Sequence, residues 1–246
     1  MTSTASERPR NALVFGGSRG IGAAIARRLA QEGFSVALTY VSRPDKAREV
    51  CDAVSGAGGK AIAIHADSGD PAAIRRAVAE ATDQLGLLDV VVINAGVLRL
   101  GSIESFNHDD LDLLLNVNIR GVFLAMQAST AAMRDGGRII TIGSNTAIRT
   151  GAAGGSAYAM TKAAVASLVK TAALDLAPRQ ITVNNLQPGP TETDMTAGMA
   201  DWLKERIPLR RLNSPDDVAS AVCFLAGTGA SLITGTSITI DGGYVL

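Results

Sequence analysis

The sequence is poor in the residues that mark several classes of protein. Only 4% of its 246 residues are aromatic, and it contains two cysteines and two histidines. Cys51 and Cys223 lie far apart and belong to no CxxC pair, so we predict reduced packing residues in a reducing compartment rather than a disulfide. Because these few histidines and cysteines form no cluster, the sequence contains no pattern for a metal site.

Neither sign of charge dominates, and long apolar runs are missing. With 23 basic and 23 acidic side chains the formal net charge is zero, which argues against a nucleic-acid partner. No apolar run approaches the roughly 20 residues needed to cross a bilayer. Residues 1–10 are polar and lack the apolar core of a signal peptide, so we expect a flexible tail there. A cytoplasmic protein without a membrane partner is predicted.

Short apolar runs alternate with helical patterns along the chain. The predicted strands lie at 11–15, 34–40, 60–65, 88–94, 138–142, 181–186 and 237–240. The predicted helices lie at 21–29, 109–133 and 157–177 and begin near residues 45, 71 and 215. The strands are continuously apolar, which is typical of a parallel sheet with helices on both faces. We therefore predict one α/β domain over 11–246 with a doubly wound parallel sheet of about seven strands, whose ligands bind beyond the carboxyl ends of the strands.

A glycine-rich turn at 16–22, spaced G-x-x-x-G-x-G, joins the first strand to the first helix. Such a turn lets the backbone approach a pyrophosphate at the helix N-terminus, although a purely structural turn is the alternative. The same stretch matches G-x-S-x-G, a hydrolase pattern that would make Ser18 a nucleophile. That type of hydrolase needs a histidine late in the chain, and only His65 and His108 exist, so a phosphate site is favoured.

Tyr158 and Lys162 lie four residues apart in a predicted helix and so share one of its faces. A free phenol has a pKa of about 10, too high for efficient proton exchange at neutral pH. A neighbouring ammonium favours the phenolate, so we expect Lys162 to lower the pKa of Tyr158. The alternative is a tyrosine packed on the sheet beside a solvated lysine.

Further motifs follow in a fixed order along the chain. They are Gly16-x-x-x-Gly20-x-Gly22, Asn94-Ala95-Gly96, Asn118, Ser144, Tyr158-x-x-x-Lys162, Pro188-Gly189 and Asp241-Gly-Gly243. Together they resemble the short-chain dehydrogenase/reductase family over residues 11–244, and the resemblance implies a Rossmann-type fold. Two details differ from the family pattern: Phe15 stands where a threonine is usual, and the interval from Ser144 to Tyr158 is one residue longer. Neither difference removes a reacting group.

The resemblance implies an NAD(P)(H)-dependent oxidoreductase that interconverts a ketone (3-oxoacyl or similar) and a secondary alcohol, like 3-oxoacyl-[acyl-carrier-protein] reductases. Tyr158 would act as the acid/base, and Lys162 would lower its pKa and hold the nicotinamide ribose. Ser144 would orient the carbonyl oxygen. Asn118 would hold a water that relays protons to Lys162; an asparagine that stabilises a helix kink is the alternative.

The same resemblance implies a set of cofactor contacts, in which Asp67 corresponds to the family's adenine contact. The implied residues are Gly16, Ser18, Arg19, Gly20, Ile21, Tyr40, Ser42, Arg43, Asp67, Ser68, Asn94, Ala95, Gly96, Tyr158, Lys162, Pro188, Gly189, Thr191 and Thr193.

The cofactor is predicted to be NADP(H) rather than NAD(H). An NAD-preferring site usually has an acidic residue near the end of the second strand. Residues 39–43 contain no acidic residue, and the first one after them is Asp45. Arg19 and Arg43 would instead meet a 2′-phosphate, with Ser42 adding a hydroxyl. The alternative is that both arginines are solvated surface charges.

A mobile lid over the nicotinamide and substrate is implied at about 189–212. Its apolar residues suit varied apolar substrates, unless they pack on the body of the protein. Arg206, Arg210 and Arg211 would attract an acidic carrier such as acyl carrier protein or coenzyme A, unless they are solvated or salt-bridged.

The helix at 157–177 is apolar nearly all round, which predicts burial on both sides. Together with the helix at 109–133, it is expected to form the interface of a homotetramer or a homodimer, as relatives commonly do.

A regulatory binding protein on the same fold is the alternative function. The segments 16–22, 140–144 and 187–190 are similar to family members that bind cyclic-di-GMP and disperse biofilms. Fold does not fix function, and a binding protein can keep these residues. The four intact catalytic residues favour an enzyme acting on a small-molecule carbonyl or alcohol.

Overall fold

The computed structural model describes residues 10–150, 153–193, 196 and 198–246, so the tail predicted at 1–10 lies outside it except for Arg10. The strands are β1 (Arg10–Phe15), β2 (Phe34–Tyr40), β3 (Ala61–His65), β4 (Leu88–Ile93), β5 (Met133–Ile142), β6 (Thr182–Pro188) and β7 (Ser237–Ile240). They form one sheet of seven strands in the order β3-β2-β1-β4-β5-β6-β7. Every neighbouring pair is parallel, and the predicted doubly wound sheet is confirmed.

Helices connect the strands and cover the sheet. They are α1 (Gly20–Gln31), α2 (Pro44–Gly56), α3 (Pro71–Leu85), α4 (His108–Leu115), α5 (Val122–Ala131), α6 (Ser156–Leu176), α7 (Ala200–Lys204) and α8 (Pro215–Ala226). A π-helical segment (Asn116–Gly121) joins α4 to α5, and 3₁₀ turns lie at Asn145–Ala147, Ala177–Arg179 and Thr228–Ala230.

Side chains of β1 point alternately into two buried apolar layers. Leu13 packs in the layer that contains α3, α5 and α6, where Ile74 lies. Val14 packs in the layer that contains α1, α2 and α8, where Leu29 and Val222 lie. Because both faces of the sheet are buried, its strands read as continuous apolar runs in the sequence.

The helix predicted at 109–133 is divided into α4, the π-helical segment and α5. Asn118 lies in the π-helical segment, and π-turns of this kind often occur at functional sites. The strand after it begins at Met133 rather than at the predicted residue 138, because Met133 pairs with Leu88 before the register between the strands shifts.

Two predicted helix starts are confirmed by their capping bonds. The Asp70 side chain accepts a hydrogen bond from the Ala72 amide at 2.8 Å at the start of α3. Ser214 and Asp217 form a reciprocal capping box at the start of α8. Capping satisfies backbone N–H groups that a helix cannot satisfy itself.

Cys51 on α2 and Cys223 on α8 are free and partly buried, and burial raises the pKa of both thiols. Both side chains pack against the same apolar layer, in agreement with the prediction of packing residues. Within the part of the chain that the structure describes, none of the helices combines the length and apolar character that a membrane span requires.

Candidate active site

Most of the predicted site residues lie at or just beyond the carboxyl ends of six neighbouring strands. The turn at 16–22 follows β1, 67–68 follows β3, 94–96 follows β4 and Ser144 follows β5. The segments 40–43 and 188–193 begin at the last residues of β2 and β6. The sheet reverses its winding between β1 and β4, since β2 and β3 lie on one side and β5 to β7 on the other. Ligands of such sheets bind in the crevice at this switch point, so the sequence motifs share the expected edge.

The glycine turn after β1 has a backbone that other residues would strain. Gly16 and Gly20 have φ angles of +74° and +52°. A Cβ atom at Gly22 would overlap the Gly16 carbonyl oxygen and lie 2.6 Å from Asn94 Nδ2. Asn94 Nδ2 donates to the Gly16 carbonyl oxygen at 2.7 Å. The amides of the first turn of α1 point toward this turn, as at any helix N-terminus, and no side chain caps them, which fits an anion.

Thr39 supports the same turn and was missed by sequence reasoning. Its Oγ1 accepts from the Gly16 amide at 2.9 Å, and its carbonyl oxygen accepts from the Gly17 amide at 2.9 Å. Thr39 is only 1% exposed, and the signal for it is a polar residue near the end of an apolar run. Phe15, which stands where the family usually has a threonine, is buried in the core. In this chain Thr39 of β2 supplies hydrogen bonds that support the glycine turn.

The hydrolase alternative for Ser18 finds no suitable base. His65 lies at the end of β3, where its Nε2 is 3.0 Å from the Val41 carbonyl oxygen and its ring packs against Tyr40 at 5.5 Å. His108 is the first residue of α4. Across the described ranges, His, Cys, Asp and Glu side chains also form no group of three or more that could hold a metal ion.

Tyr158 and Lys162 lie in the first turns of α6 and meet Ser144 just beyond β5. Lys162 Nζ is 5.6 Å from the centre of the Tyr158 ring and donates to the Ile142 carbonyl oxygen at 3.0 Å. The Ser144 side chain hydrogen-bonds with Tyr158 and accepts from the Thr146 amide at 3.2 Å. Three of the predicted catalytic residues are therefore together at one point of the sheet edge.

Burial sets the charge of both ionisable groups. It raises the pKa of Tyr158 to about 12, while the hydrogen bond with Ser144 acts in the opposite direction. It lowers the pKa of Lys162 to about 8. Both shifts arise because a charged side chain loses hydration when it leaves water. The expectation that Lys162 lowers the pKa of Tyr158 is wrong for this structure, because desolvation of the phenol dominates, and Tyr158 keeps its proton at neutral pH.

Asn118 is buried, and both ends of its side-chain amide are bonded within the protein. Its Oδ1 accepts from the Val97 amide at 2.9 Å, and its Nδ2 donates to the Val97 carbonyl oxygen at 2.9 Å and to Thr161 Oγ1 at 3.2 Å. A Cβ atom at Gly96 would lie 3.3 Å from Asn118 Oδ1 and 3.6 Å from Lys162 Nζ. The Asn118 side chain thus anchors the loop after β4 to α6, and its part in a proton relay stays a prediction.

The residues predicted to meet a 2′-phosphate lie at the surface. Arg19, Ser42 and Arg43 are all exposed. Arg43 donates to both carboxylate oxygens of Asp45, at 3.0 and 2.7 Å. This pairing holds the pKa of Asp45 at about 2. A phosphate would therefore bind Arg43 in competition with Asp45.

The start of the predicted lid lies against the glycine turn. A Cβ atom at Gly20 would be 3.4 Å from Thr193 Cγ2. Thr191 Oγ1 donates to the Gly189 carbonyl oxygen at 2.9 Å. The lid positions 194, 195 and 197 lie outside the described residues. Both threonines predicted to contact the cofactor thus belong to a segment that reaches the turn after β1.

The lid arginines make contacts within the protein, and one of them forms a salt bridge. Arg206 stacks on the Trp202 ring, 3.8 Å from its centre. Arg210 donates to a lid backbone carbonyl at 2.8 Å, and Arg211 pairs with Asp217 at 2.7 Å. All three arginines are nevertheless exposed, so attraction of an acidic carrier stays a prediction.

Comparisons with known proteins cover nearly the whole chain. Residues 16–245 match the family model described as Enoyl-(Acyl carrier protein) reductase. A 3-oxoacyl-[acyl-carrier-protein] reductase of Staphylococcus aureus is 39% identical over 243 residues, covering 96% of this chain and 98% of the relative. A cyclic-di-GMP-binding biofilm dispersal mediator protein of Escherichia coli is 38% identical over 238 residues, covering 96% and 97%.

A solved structure adds a bound cofactor to these similarities. A short-chain dehydrogenase from Burkholderia cenocepacia in complex with NADP is 46% identical to this chain. The two superpose with a TM-score of 0.94 over 96% of this chain and 98% of that chain. The similarity therefore includes the whole sheet and its carboxyl edge rather than one motif.

Proposed function

This chain belongs to the short-chain dehydrogenase/reductase family, and from that premise we propose that it is an NADP(H)-dependent enzyme that interconverts a ketone and a secondary alcohol. It is an oxidoreductase acting on carbonyl and alcohol groups. The substrate class that we propose is a 3-oxoacyl compound or a similar carbonyl. The observation that carries the proposal is the convergence of Tyr158 with Ser144 and Lys162 beyond the carboxyl end of β5.

In this proposal each of the three residues has a separate task. Tyr158 donates its proton to the carbonyl oxygen in reduction and removes it from the alcohol in oxidation. Ser144 donates a hydrogen bond to the same oxygen and orients the carbonyl. Lys162 holds the nicotinamide ribose and places positive charge beside Tyr158. The nicotinamide cofactor supplies or accepts the hydride when bound.

The turn after β1 fits the phosphates of a dinucleotide. The left-handed backbone of Gly16 and Gly20 and the close packing at Gly22 leave a backbone surface that side chains would block. Arg19 and Arg43 add positive charge for a 2′-phosphate. The NADP complex of the Burkholderia relative supports the choice of NADP(H) over NAD(H).

A homotetramer or homodimer is the assembly that we propose, formed through α5 and α6. Phe123 on α5 is 49% exposed, and Met160 and Leu174 on α6 are 48% and 75% exposed. Large apolar side chains on the outer faces of neighbouring helices are commonly covered by a partner. A monomer in sedimentation equilibrium would contradict this assembly.

The cytoplasm is the compartment that we propose. Cys51 and Cys223 are free thiols, and such thiols persist in reducing compartments. Fractionation of a cell lysate should therefore leave the protein with the soluble material; recovery with the membranes would contradict this placement.

A second candidate function is the binding of cyclic-di-GMP with little or no turnover. The 38% identity to the Escherichia coli dispersal mediator favours it. The convergence of Ser144, Tyr158 and Lys162 favours turnover, because a binding protein has no need of a proton donor beside a buried lysine.

Titration of the purified protein with NADPH and NADH, followed by nicotinamide fluorescence, tests the proposal. We expect tight NADPH binding, weak NADH binding and oxidation of NADPH when ketones or 3-oxoacyl thioesters are added. Tight NADH binding would overturn the assignment of Arg19 and Arg43. Binding of cyclic-di-GMP without either nicotinamide nucleotide would place the regulatory function first.

A further inference from the structure

The turn after β7, residues 241–246, lies between two segments that border the site. We call it the closing turn. One of these segments is the serine loop, residues 144–149, and the other is the lid at 189–212. Hydrogen bonds join the closing turn to both.

A buried side-chain bond connects the closing turn to the residue that follows Ser144. Asn145 is 3% exposed and Asp241 is 7% exposed. Asn145 Nδ2 donates to Asp241 Oδ2 at 3.1 Å. The same carboxylate accepts from the Gly243 amide at 2.9 Å and from the Val245 amide at 3.1 Å. Removing Asn145 would leave a buried charge with one donor fewer, which is costly.

Gly189, at the start of the lid, packs directly against this bond. A Cβ atom at Gly189 would lie 2.9 Å from Asp241 Cα and 3.1 Å from Asn145 Nδ2. The Gly189 amide donates to the Ile240 carbonyl oxygen at 2.8 Å. The segments after β5, β6 and β7 therefore converge here, and only a glycine leaves room for the Asn145–Asp241 bond.

The closing turn also holds the far end of the lid and the far end of the serine loop. The Leu209 amide donates to the Gly242 carbonyl oxygen at 3.1 Å. Tyr244 packs on the small apolar cluster that contains Ile207. Arg149 Nη1 donates to the Tyr244 carbonyl oxygen at 3.4 Å. The far end of the lid and both ends of the serine loop are thus bonded to the same six residues.

We propose that Asn145 and Asp241 are a positioning pair whose hydrogen bond fixes Ser144 relative to the lid, so that the serine hydroxyl keeps its place beside Tyr158. This inference rests on the function proposed above for Ser144. Ser144 has Asn145 anchored on one side, and its own Oγ is bonded to the Thr146 amide. A displacement of about 1 Å in such a group can lower turnover about 100-fold.

Three variants of the full-length enzyme test the pair by kcat and KM for a ketone, NADPH affinity and melting temperature. Asn145→Ala should lower kcat about 10- to 100-fold and change NADPH affinity little. Asn145→Asp should lower kcat further, because two carboxylates would then face each other. Adding Asp241→Asn to Asn145→Asp removes the repulsion between the two carboxylates and restores one donor and one acceptor, while the Val245 amide loses its acceptor. The exchanged pair should therefore recover kcat in part, to above the level of Asn145→Asp alone.

Asn184→Ala is the matched control. Asn184 is 1% exposed and donates to the Ile233 carbonyl oxygen at 2.6 Å, but it lies nearer the amino end of β6. It should lower the melting temperature and leave kcat unchanged. Loss of stability in Asn145→Ala with kcat and KM unchanged would overturn the inference.

The remaining outcomes are also decisive. If Asn145→Ala does not fold, the comparison of Asn145→Asp with the exchanged pair decides, and no recovery of kcat would overturn the inference. If none of the carbonyl compounds tested makes the unmodified protein oxidise NADPH, the proposed function fails and the positioning role fails with it. An active unmodified enzyme with unaffected variants refutes the pair alone.

Discussion

Lys162 and Arg43 are both cations of the predicted cofactor site, but one is buried and the other lies in solvent. Lys162 has a backbone carbonyl oxygen as its hydrogen-bond acceptor, and burial lowers its pKa to about 8. Arg43 is exposed and pairs with the carboxylate of Asp45. Burial thus decides whether Lys162 is charged, whereas competition between partners decides what Arg43 binds.

This difference predicts where substitutions act. In the buried centre a substitution changes which group carries a proton, so turnover should change more than affinity. At the surface the arginines keep their protons, and water and salt screen their charges. Substitutions there should change the affinity for NADPH relative to NADH and leave the chemical step alone.

The largest effect is expected for Tyr158→Phe. The variant keeps the ring and loses the proton donor, so kcat should fall by at least about 10²- to 10⁴-fold, the usual contribution of general acid catalysis. NADPH affinity, measured by nicotinamide fluorescence in the same variant, should be nearly intact. Substantial residual ketone reduction would remove Tyr158 as the acid.

The next effect concerns pH. Because burial lowers the pKa of Lys162 to about 8, its ammonium is present below that pH and is lost above it. The kcat/KM for NADPH, which reports the free enzyme, should therefore fall above a pH of about 8. Lys162→Arg, whose guanidinium stays charged, should remove this fall if it retains activity. A flat profile in the unmodified enzyme up to a pH of about 10 would contradict the role of Lys162.

A smaller effect is expected for Arg43→Ala. Loss of a charge-assisted bond to the 2′-phosphate should weaken NADPH about tenfold and NADH little. Arg48→Ala is the control, since Arg48 is also an exposed arginine and lies on α2, which begins one residue after Arg43. Fluorescence titration with both nucleotides checks the result. Equal weakening of NADPH and NADH would refute the phosphate assignment.

The smallest effect tests whether Asp45 competes with the 2′-phosphate for Arg43. Asp45→Asn removes the carboxylate that holds Arg43, so NADPH affinity should rise about two- to fivefold at low salt, and the gain should shrink as salt is added. No gain at low ionic strength would mean that Asp45 does not compete with the phosphate.

The sheet was predictable because burial on both faces leaves continuous apolar runs in the sequence. Even the last strand, Ser237–Ile240, has the predicted bounds. The start of β5 was not predictable, since it depends on pairing between Met133 and Leu88 from different parts of the chain. The π-helical segment escaped prediction for the same reason, because Asn118 bonds to the distant Val97.

For the site, the motifs identified residues but not their surroundings. Ser144, Tyr158 and Lys162 were all named from their order along the chain, and the structure brings them together. The direction of the Tyr158 pKa shift was predicted wrongly, since helical spacing reveals the neighbouring ammonium but not the desolvation. The roles of Thr39 and Asn145 depend on contacts between separate strand ends; a polar residue in an apolar run marks the position of Thr39 but not its partner.

A direct titration of Tyr158 tests whether burial keeps this residue protonated as the acid of a carbonyl reductase. The chain has three tyrosines, so the ultraviolet pH titration of the unmodified protein minus that of Tyr158→Phe isolates one phenol. We predict no ionisation of Tyr158 up to a pH of about 10, the ordinary value for tyrosine. Ionisation of Tyr158 clearly below that value would contradict the account.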